Sequence, residues 1–124
     1  MVLQSAFRLS LTNLALALAI RLLFVACLFI GTANHLYSGL HFGWLWDYGY
    51  GDAPWGSRLF WAALTVLDSV VAVLLLVRPR TGIACAAILI LADVLHNSVY
   101  VAAHHQWLEN FYLGQVGFLL LIAA

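Results

Sequence analysis

Four long apolar segments, each bounded by charged or turn-forming residues, dominate the chain. They cover residues 22–42, 58–77, 81–103 and 107–124. A helix needs about 20 apolar residues to cross the roughly 30 Å hydrocarbon core of a bilayer. Continuous apolar runs favour helices, because the strands of a membrane barrel alternate apolar and polar positions. We therefore predict an all-α, integral membrane protein, an antiparallel four-helix bundle with four spans.

The first twenty residues form a separate pattern. Leu3, Phe7 and Leu11 recur at helical spacing, whereas Gln4 and Arg8 lie on another face. This predicts an amphipathic helix that either lies in the membrane interface or extends the first span. We divide the chain into an N-terminal segment, 1–20, and a transmembrane domain, 21–124. Because the last apolar run is short and lacks a basic anchor, we expect the natural polypeptide to continue past residue 124.

The charged residues predict an orientation. The chain has five arginines, no lysine and five acidic residues. Arg8, Arg21, Arg78 and Arg80 fall on one side of the predicted spans, and positive residues mark the cytoplasmic side of a membrane. We therefore expect a bacterial inner-membrane protein with both termini inside. Arg58 lies on the opposite, tryptophan-rich side, where we expect an aspartate of the 44–57 loop, at position 47 or 52, to pair with it.

Composition excludes several classes of protein. Hydrophobic residues make up 65% of the chain and charged residues only 8%, whereas soluble domains carry about 25% charged residues. The lipid bilayer is therefore the expected partner. A formal net charge of zero gives no basic surface for nucleic acid. The two cysteines form neither a disulfide framework nor a zinc motif. No catalytic series or phosphate-binding loop is present, so we assign no catalytic residue.

Polar residues inside the predicted spans are the main functional signal. An aspartate at the centre of a membrane helix costs about 2.5–3.5 kcal/mol on insertion, and both Asp68 and Asp93 fall near mid-span. Polar side chains also recur at helical spacing on the first three helices at overlapping depth. Since lipid offers them no partner, we predict that they converge on one ligand or proton site, comprising Asn34, His35, Thr65, Asp68, Asp93, His96, Asn97 and Tyr100.

Several chemistries fit this set. Two imidazoles and two carboxylates suit a transition metal, with His35, Asp68, Asp93 and His96 as ligands. Alternatively, the two histidines would be axial ligands of a haem, or a carboxyl group would hold a proton or cation. In the simplest case the polar groups only fix the register of the helices. A secondary group of candidates lies at the outer rim: His41, His104, His105 and Glu109.

The sequence also resembles a known family. The Arg-Leu-Leu-Phe sequence at 21–24 with Gly31, the apolar run from Asp68 into a basic turn, and the Arg-Thr-Gly-Ile-Ala sequence at 80–84 resemble small four-helix DoxX-like bacterial membrane proteins over residues 20–124. The resemblance implies a four-helix architecture and, as for some members, a place in a quinone-linked or redox membrane assembly.

Taken together, these features favour an accessory or binding role for a metal ion or small ligand. A haem- or quinone-linked redox subunit and a structural subunit of a larger complex remain the alternatives. Four helices are few for a transporter that acts alone, so a homodimer or a larger membrane complex is expected. Gly82 with Ala86, or Gly114 with Gly117, would supply the small-residue contact face.

Overall fold

The computed structural model describes all residues 1–124 and contains only helices as regular structure. These are α1 (Val2–Phe42), α2 (Trp55–Val77), α3 (Pro79–His104) and α4 (Asn110–Ala123). The prediction of an all-α protein is confirmed. The first three helices are long and apolar enough to cross a membrane.

The fourth predicted span, 107–124, is shorter than expected. Trp107 and Leu108 are apolar but belong to a turn, and His105 has a left-handed backbone, with φ of 55°, that ends α3. Helix α4 therefore has only 14 residues, about 21 Å at 1.5 Å per residue. The apolar pattern alone did not reveal this turn, because its tryptophan and leucine continue the hydrophobic run.

Helix α1 includes the N-terminal segment without a break. Its 41 residues measure about 60 Å at 1.5 Å per residue, about twice the hydrocarbon thickness of a bilayer. Residues 2–20 are all exposed, so this half of the helix adds no residue to the buried core. The N-terminal segment is therefore a continuation of the first helix, which is one of its two predicted arrangements.

A tight turn joins α2 to α3. Arg78 is the only residue between the two helices, and Pro79 occupies the first helical position, where its missing N–H costs nothing. A Cβ atom added at Gly82 would lie 2.5 Å from the backbone nitrogen of Leu75, so this close approach requires glycine. Ala86 is fully buried on the same helix. This small-residue pair is therefore used inside the chain.

Two clusters of buried side chains lie at opposite ends of the helices. The larger draws on all four helices: Phe24, Val25, Leu28, Val71, Ala72, Leu75, Ala86, Ile90, Val94 and Phe118. The smaller lies beneath the 43–54 loop: Ala53, Trp61 and Leu64. Only 20 of the 124 residues are buried, and many large apolar side chains are exposed. Along α2, Asp68 lies between the two clusters, whereas Asn97 and Tyr100 contact the smaller one.

The 43–54 loop folds back over the helix ends. Arg58 Nη2 lies 3.7 Å from Asp47 Oδ2, which identifies the partner of Arg58 as the first of the two predicted aspartates. Tyr50 donates its hydroxyl to Gln106 Oε1 at 2.7 Å, and this bond joins the two loops at this end. Trp46, Tyr48 and Trp61 follow one another with ring centroids about 5 Å apart. The loop is thus held by contacts between aromatic rings as well as by polar contacts.

Candidate functional site

Asn97 is the centre of a buried hydrogen-bond network. Trp61 on α2 donates its indole N–H to Asn97 Oδ1 at 2.8 Å. Asn97 Nδ2 in turn donates to Asp93 Oδ1 at 2.8 Å and to Gln115 Oε1 on α4 at 3.1 Å. Asn97, Asp93 and Trp61 are each less than 9% exposed. One amide therefore connects three helices and fixes the position of the Asp93 carboxyl group.

His96 joins this network from the side. Its Nδ1 lies 3.3 Å from Asn97 Oδ1 and its Nε2 lies 2.9 Å from Ser57 Oγ. Because an amide oxygen only accepts, Nδ1 carries the proton and Nε2 accepts the serine hydroxyl. Tyr100 donates to the same Ser57 oxygen at 2.6 Å. Both ring nitrogens of His96 are thus engaged by protein groups.

Asp68 has a different environment. It is only 8% exposed, yet its carboxyl group makes no hydrogen bond or ion pair within the chain. A Cβ atom added at Gly31 would lie 2.6 Å from Asp68 Oδ2. The glycine therefore lets this carboxyl group lie directly against the backbone of α1.

A cavity of about 500 Å³ opens in front of the two aspartates. It lies between α1, α3 and α4, with Asp68 of α2 also in its wall, and its lining is mixed. The polar part contains Asn34, His35, Asp68, Asp93 and Gln115, and the apolar part includes Leu28, Leu89, Ile90, Phe111 and Phe118. A pocket of this size and character is typical of small-ligand sites.

A second cavity of about 360 Å³ lies on the side of the 43–54 loop. It shares Asn34, His35, Phe111 and Gln115 with the first cavity. Its other walls are mostly aromatic and include Trp46, Tyr48, Tyr50 and Trp61. The two cavities are therefore neighbours, and the aromatic one lies between the loop and the aspartates.

His35 stands between the two cavities. Its Nδ1 lies 2.7 Å from the hydroxyl of Tyr48, while Nε2 has no partner within the chain. Tyr48 has a left-handed backbone, with φ of 56°, and burial raises the pKa of its phenol. The loop thus places a neutral tyrosine on one ring nitrogen and leaves the other nitrogen available to a ligand.

No cation neutralises the two buried aspartates. The ion pair between Arg58 and Asp47 is the single one in the chain, and it lies at the loop. Of the four carboxyl oxygens of Asp68 and Asp93, only Asp93 Oδ1 accepts a hydrogen bond from the protein. A buried carboxylate without a partner is costly. The site therefore holds two carboxyl groups that no cationic side chain of the protein offsets.

The structure brings most of the predicted site residues together, but with unequal roles. Asn34, His35, Asp68 and Asp93 line the larger cavity, whereas Asn97, His96 and Tyr100 form the network behind it. Thr65 belongs to neither group, because its hydroxyl oxygen is buried without a hydrogen-bond partner.

The four predicted metal ligands do not form a ligand set. Nowhere in the chain are three or more His, Cys, Asp or Glu side chains grouped so that they could hold a metal ion. His96 has no nitrogen left for a metal or for a haem iron, because Ser57 and Asn97 occupy both. The residues present therefore fit neither the predicted metal nor a bis-histidine haem.

The outer-rim candidates are likewise scattered. His41 contacts the backbone oxygen of Tyr37 at 2.9 Å, and the His104 ring lies tilted against Tyr50 with ring centroids 4.7 Å apart. His105 is the residue that ends α3, and Glu109 precedes the first residue of α4. All four rim residues are exposed.

Sequence reasoning missed four contributors: Ser57, Trp61, Tyr48 and Gly31. Ser57 and Trp61 lie four residues apart on α2 and continue toward Thr65 at the same spacing, so the helical stripe could have been extended to include them. Tyr48 lies in an irregular loop, and no periodicity predicts where its side chain goes. The role of Gly31 depends on how closely α1 approaches Asp68, which is a tertiary property.

Comparisons with protein-family models, with curated proteins and with solved structures found no match for this chain. The resemblance to DoxX-like proteins therefore stays a prediction, and the site has to be interpreted from its own geometry.

Proposed function

We propose that this chain is a membrane protein that binds a small ligand in the cavity between α1, α3 and α4. The observation that carries the proposal is Asp68, a residue only 8% exposed whose carboxyl group has no partner in the chain and lines a cavity of about 500 Å³. A side chain that serves only helix register would hydrogen-bond to another helix, as Asn97 does. Asp68 instead presents its oxygens to the space that a ligand would fill.

The proposed membrane arrangement follows from residue pairs along the helices. Thr32 contacts Ser69 and Phe24 packs in the same cluster as Leu75, which indicates antiparallel α1 and α2. Ser57 contacts His96 near one end of α2 and α3, and Leu75 contacts Gly82 near the other. We place the arginines of α1 and of the α2–α3 turn on the inner side of a bacterial inner membrane, so that α4 runs back inward.

In this arrangement the ligand enters from the outer side. The aromatic cavity under the 43–54 loop leads toward the aspartates, and His35 and Gln115 lie at the boundary between the two cavities. We assign a binding role, because Asp68 presents a carboxyl group without a protein partner to the larger cavity. The hydrogen-bond network around Asn97 then holds Asp93 in place for the ligand.

Cys27 provides a direct test, because it lines the larger cavity and Cys85 does not. Variant Cys85→Ser leaves Cys27 as the sole thiol, and Cys27→Ser leaves Cys85, which packs against the same apolar core but does not line the cavity. In lipid nanodiscs, neutral 2-hydroxyethyl methanethiosulfonate should modify Cys27 faster than Cys85. Adding Gly114→Phe should slow the modification of Cys27, since Gly114 lines the cavity and has open space around it.

Gly117→Phe is the matched control, because Gly117 also has open space but does not line the cavity. This substitution should leave the labelling rate of Cys27 unchanged. An unreactive Cys27, or equal slowing by both phenylalanine substitutions, would contradict a ligand cavity at this position.

A further inference from the structure

The lining of the two cavities restricts the chemical class of the ligand. Three of the four carboxyl oxygens of Asp68 and Asp93 accept no hydrogen bond from the protein, since only Asp93 Oδ1 receives one. The N–H groups of Asn97 are used by Asp93 Oδ1 and Gln115, and the side-chain amides of Asn34 and Gln115 donate no hydrogen bond to the carboxyl oxygens. An anionic ligand, or one that lacks N–H and O–H donors, would leave these oxygens without partners, which is costly in a buried site.

The rest of the lining is apolar and aromatic. Leu28, Ile90 and Phe118 line the inner cavity, and Phe111 lines both cavities. Tyr48, Tyr50 and Trp61 supply ring faces on the outer side. Aromatic faces attract cations through the ring quadrupole. A bare metal ion would use neither the apolar walls nor the volume of about 500 Å³.

Resting on the proposed ligand cavity, we infer that the ligand is an organic cation, an ammonium group on an apolar body. The ammonium group lies between Asp68 and Asp93, where its N–H donors meet the free carboxyl oxygens. The apolar body packs against the leucine, isoleucine and phenylalanine side chains of α1, α3 and α4. The aromatic cavity is the approach path for the positive charge.

The first experiment uses reagents that differ in charge. In the Cys85→Ser variant, the trimethylammonium reagent MTSET and the sulfonate reagent MTSES are compared at Cys27, and their rate ratio is normalised to the ratio for a free thiol. We expect the cationic reagent to be favoured about tenfold, which corresponds to about 1.4 kcal/mol. Asp68→Asn and Asp93→Asn should each lower this ratio, whereas Asp52→Asn in the exposed part of the loop should not.

The second experiment measures reversible occupancy. Phenethylamine, a cation at neutral pH, should protect Cys27 from the neutral thiol reagent, and phenethyl alcohol, which has the same size without the charge, should protect it at least about tenfold less well. The ratio of MTSET to MTSES labelling rates in the Cys85→Ser variant is measured with both aspartates present. The inference therefore stays testable if Asp68→Asn or Asp93→Asn does not fold.

The outcomes separate the two proposals. If the neutral reagent does not reach Cys27, the ligand cavity itself is refuted. If it does, but the alcohol protects as well as the amine or the normalised charge ratio is near unity, the cavity stands and the organic-cation inference is overturned. If the amine is preferred and the preference survives Asp68→Asn and Asp93→Asn, these aspartates are not its recognition groups and the inference is also overturned.

Discussion

Asn97 is the residue whose replacement should reveal most about the fold around the site. Its side chain accepts the indole N–H of Trp61 and donates to Asp93 and to Gln115. We consider Asn97→Leu, because leucine has a similar branched shape and removes the hydrogen bonds without leaving a large void. The substitution therefore isolates the polar contribution of this side chain from its packing.

The expected loss of stability can be worked from the contacts. Two of the bonds cross between helices, to Trp61 on α2 and to Gln115 on α4. Such bonds in membrane proteins contribute about 0.6 kcal/mol each on average, about 1.2 kcal/mol for two. The buried Trp61 N–H is also left without an acceptor, which costs about 1 kcal/mol more. We therefore expect Asn97→Leu to lower the free energy of unfolding by about 2 kcal/mol.

The assay is reversible unfolding in bicelles, with Asn13→Leu as the matched control on the exposed part of α1. A double-mutant cycle with Trp61→Phe isolates the bond between Asn97 and Trp61, and its coupling energy should be about 1 kcal/mol. A variant as stable as the parent protein, or a coupling energy near zero, would refute the role of Asn97 as the connection between the helices.

Three further predictions concern single side chains. Thr65→Val should raise the free energy of unfolding by about 1 kcal/mol, because it removes a buried hydroxyl without a partner; a destabilised variant in the same assay would contradict this. Gly82→Ala should cost about 1–3 kcal/mol, since the added Cβ would lie 2.5 Å from the backbone of Leu75, whereas Gly117→Ala should have little effect on unfolding. Burial raises the pKa of Tyr48, so its contribution to stability should be complete below the ordinary tyrosine pKa of about 10 and lost as the pH rises through the raised value; an alkaline stability profile that Tyr48→Phe leaves unchanged would exclude this group.

Much of the helical architecture could be predicted from local pattern. Apolar runs of about 20 residues predict membrane-length helices because length and hydropathy are properties of contiguous sequence. The predicted spans at 58–77 and 81–103 end within a few residues of α2 and α3. The short α4 escaped prediction, since Trp107 and Leu108 are apolar residues in a turn.

The sequence by itself determined that Asp68 and Asp93 lie within apolar helices and share faces with other polar residues, because helical periodicity fixes which side chains of one helix lie together. Only the tertiary structure decided which partners they meet. Helix α1 approaches Asp68 at Gly31, and the Asp68 carboxyl group lines a cavity. Ser57 forms a hydrogen bond with His96 Nε2, so this nitrogen is not available to a metal. Those outcomes depend on the rotation and spacing of neighbouring helices, which no pattern within a single helix encodes.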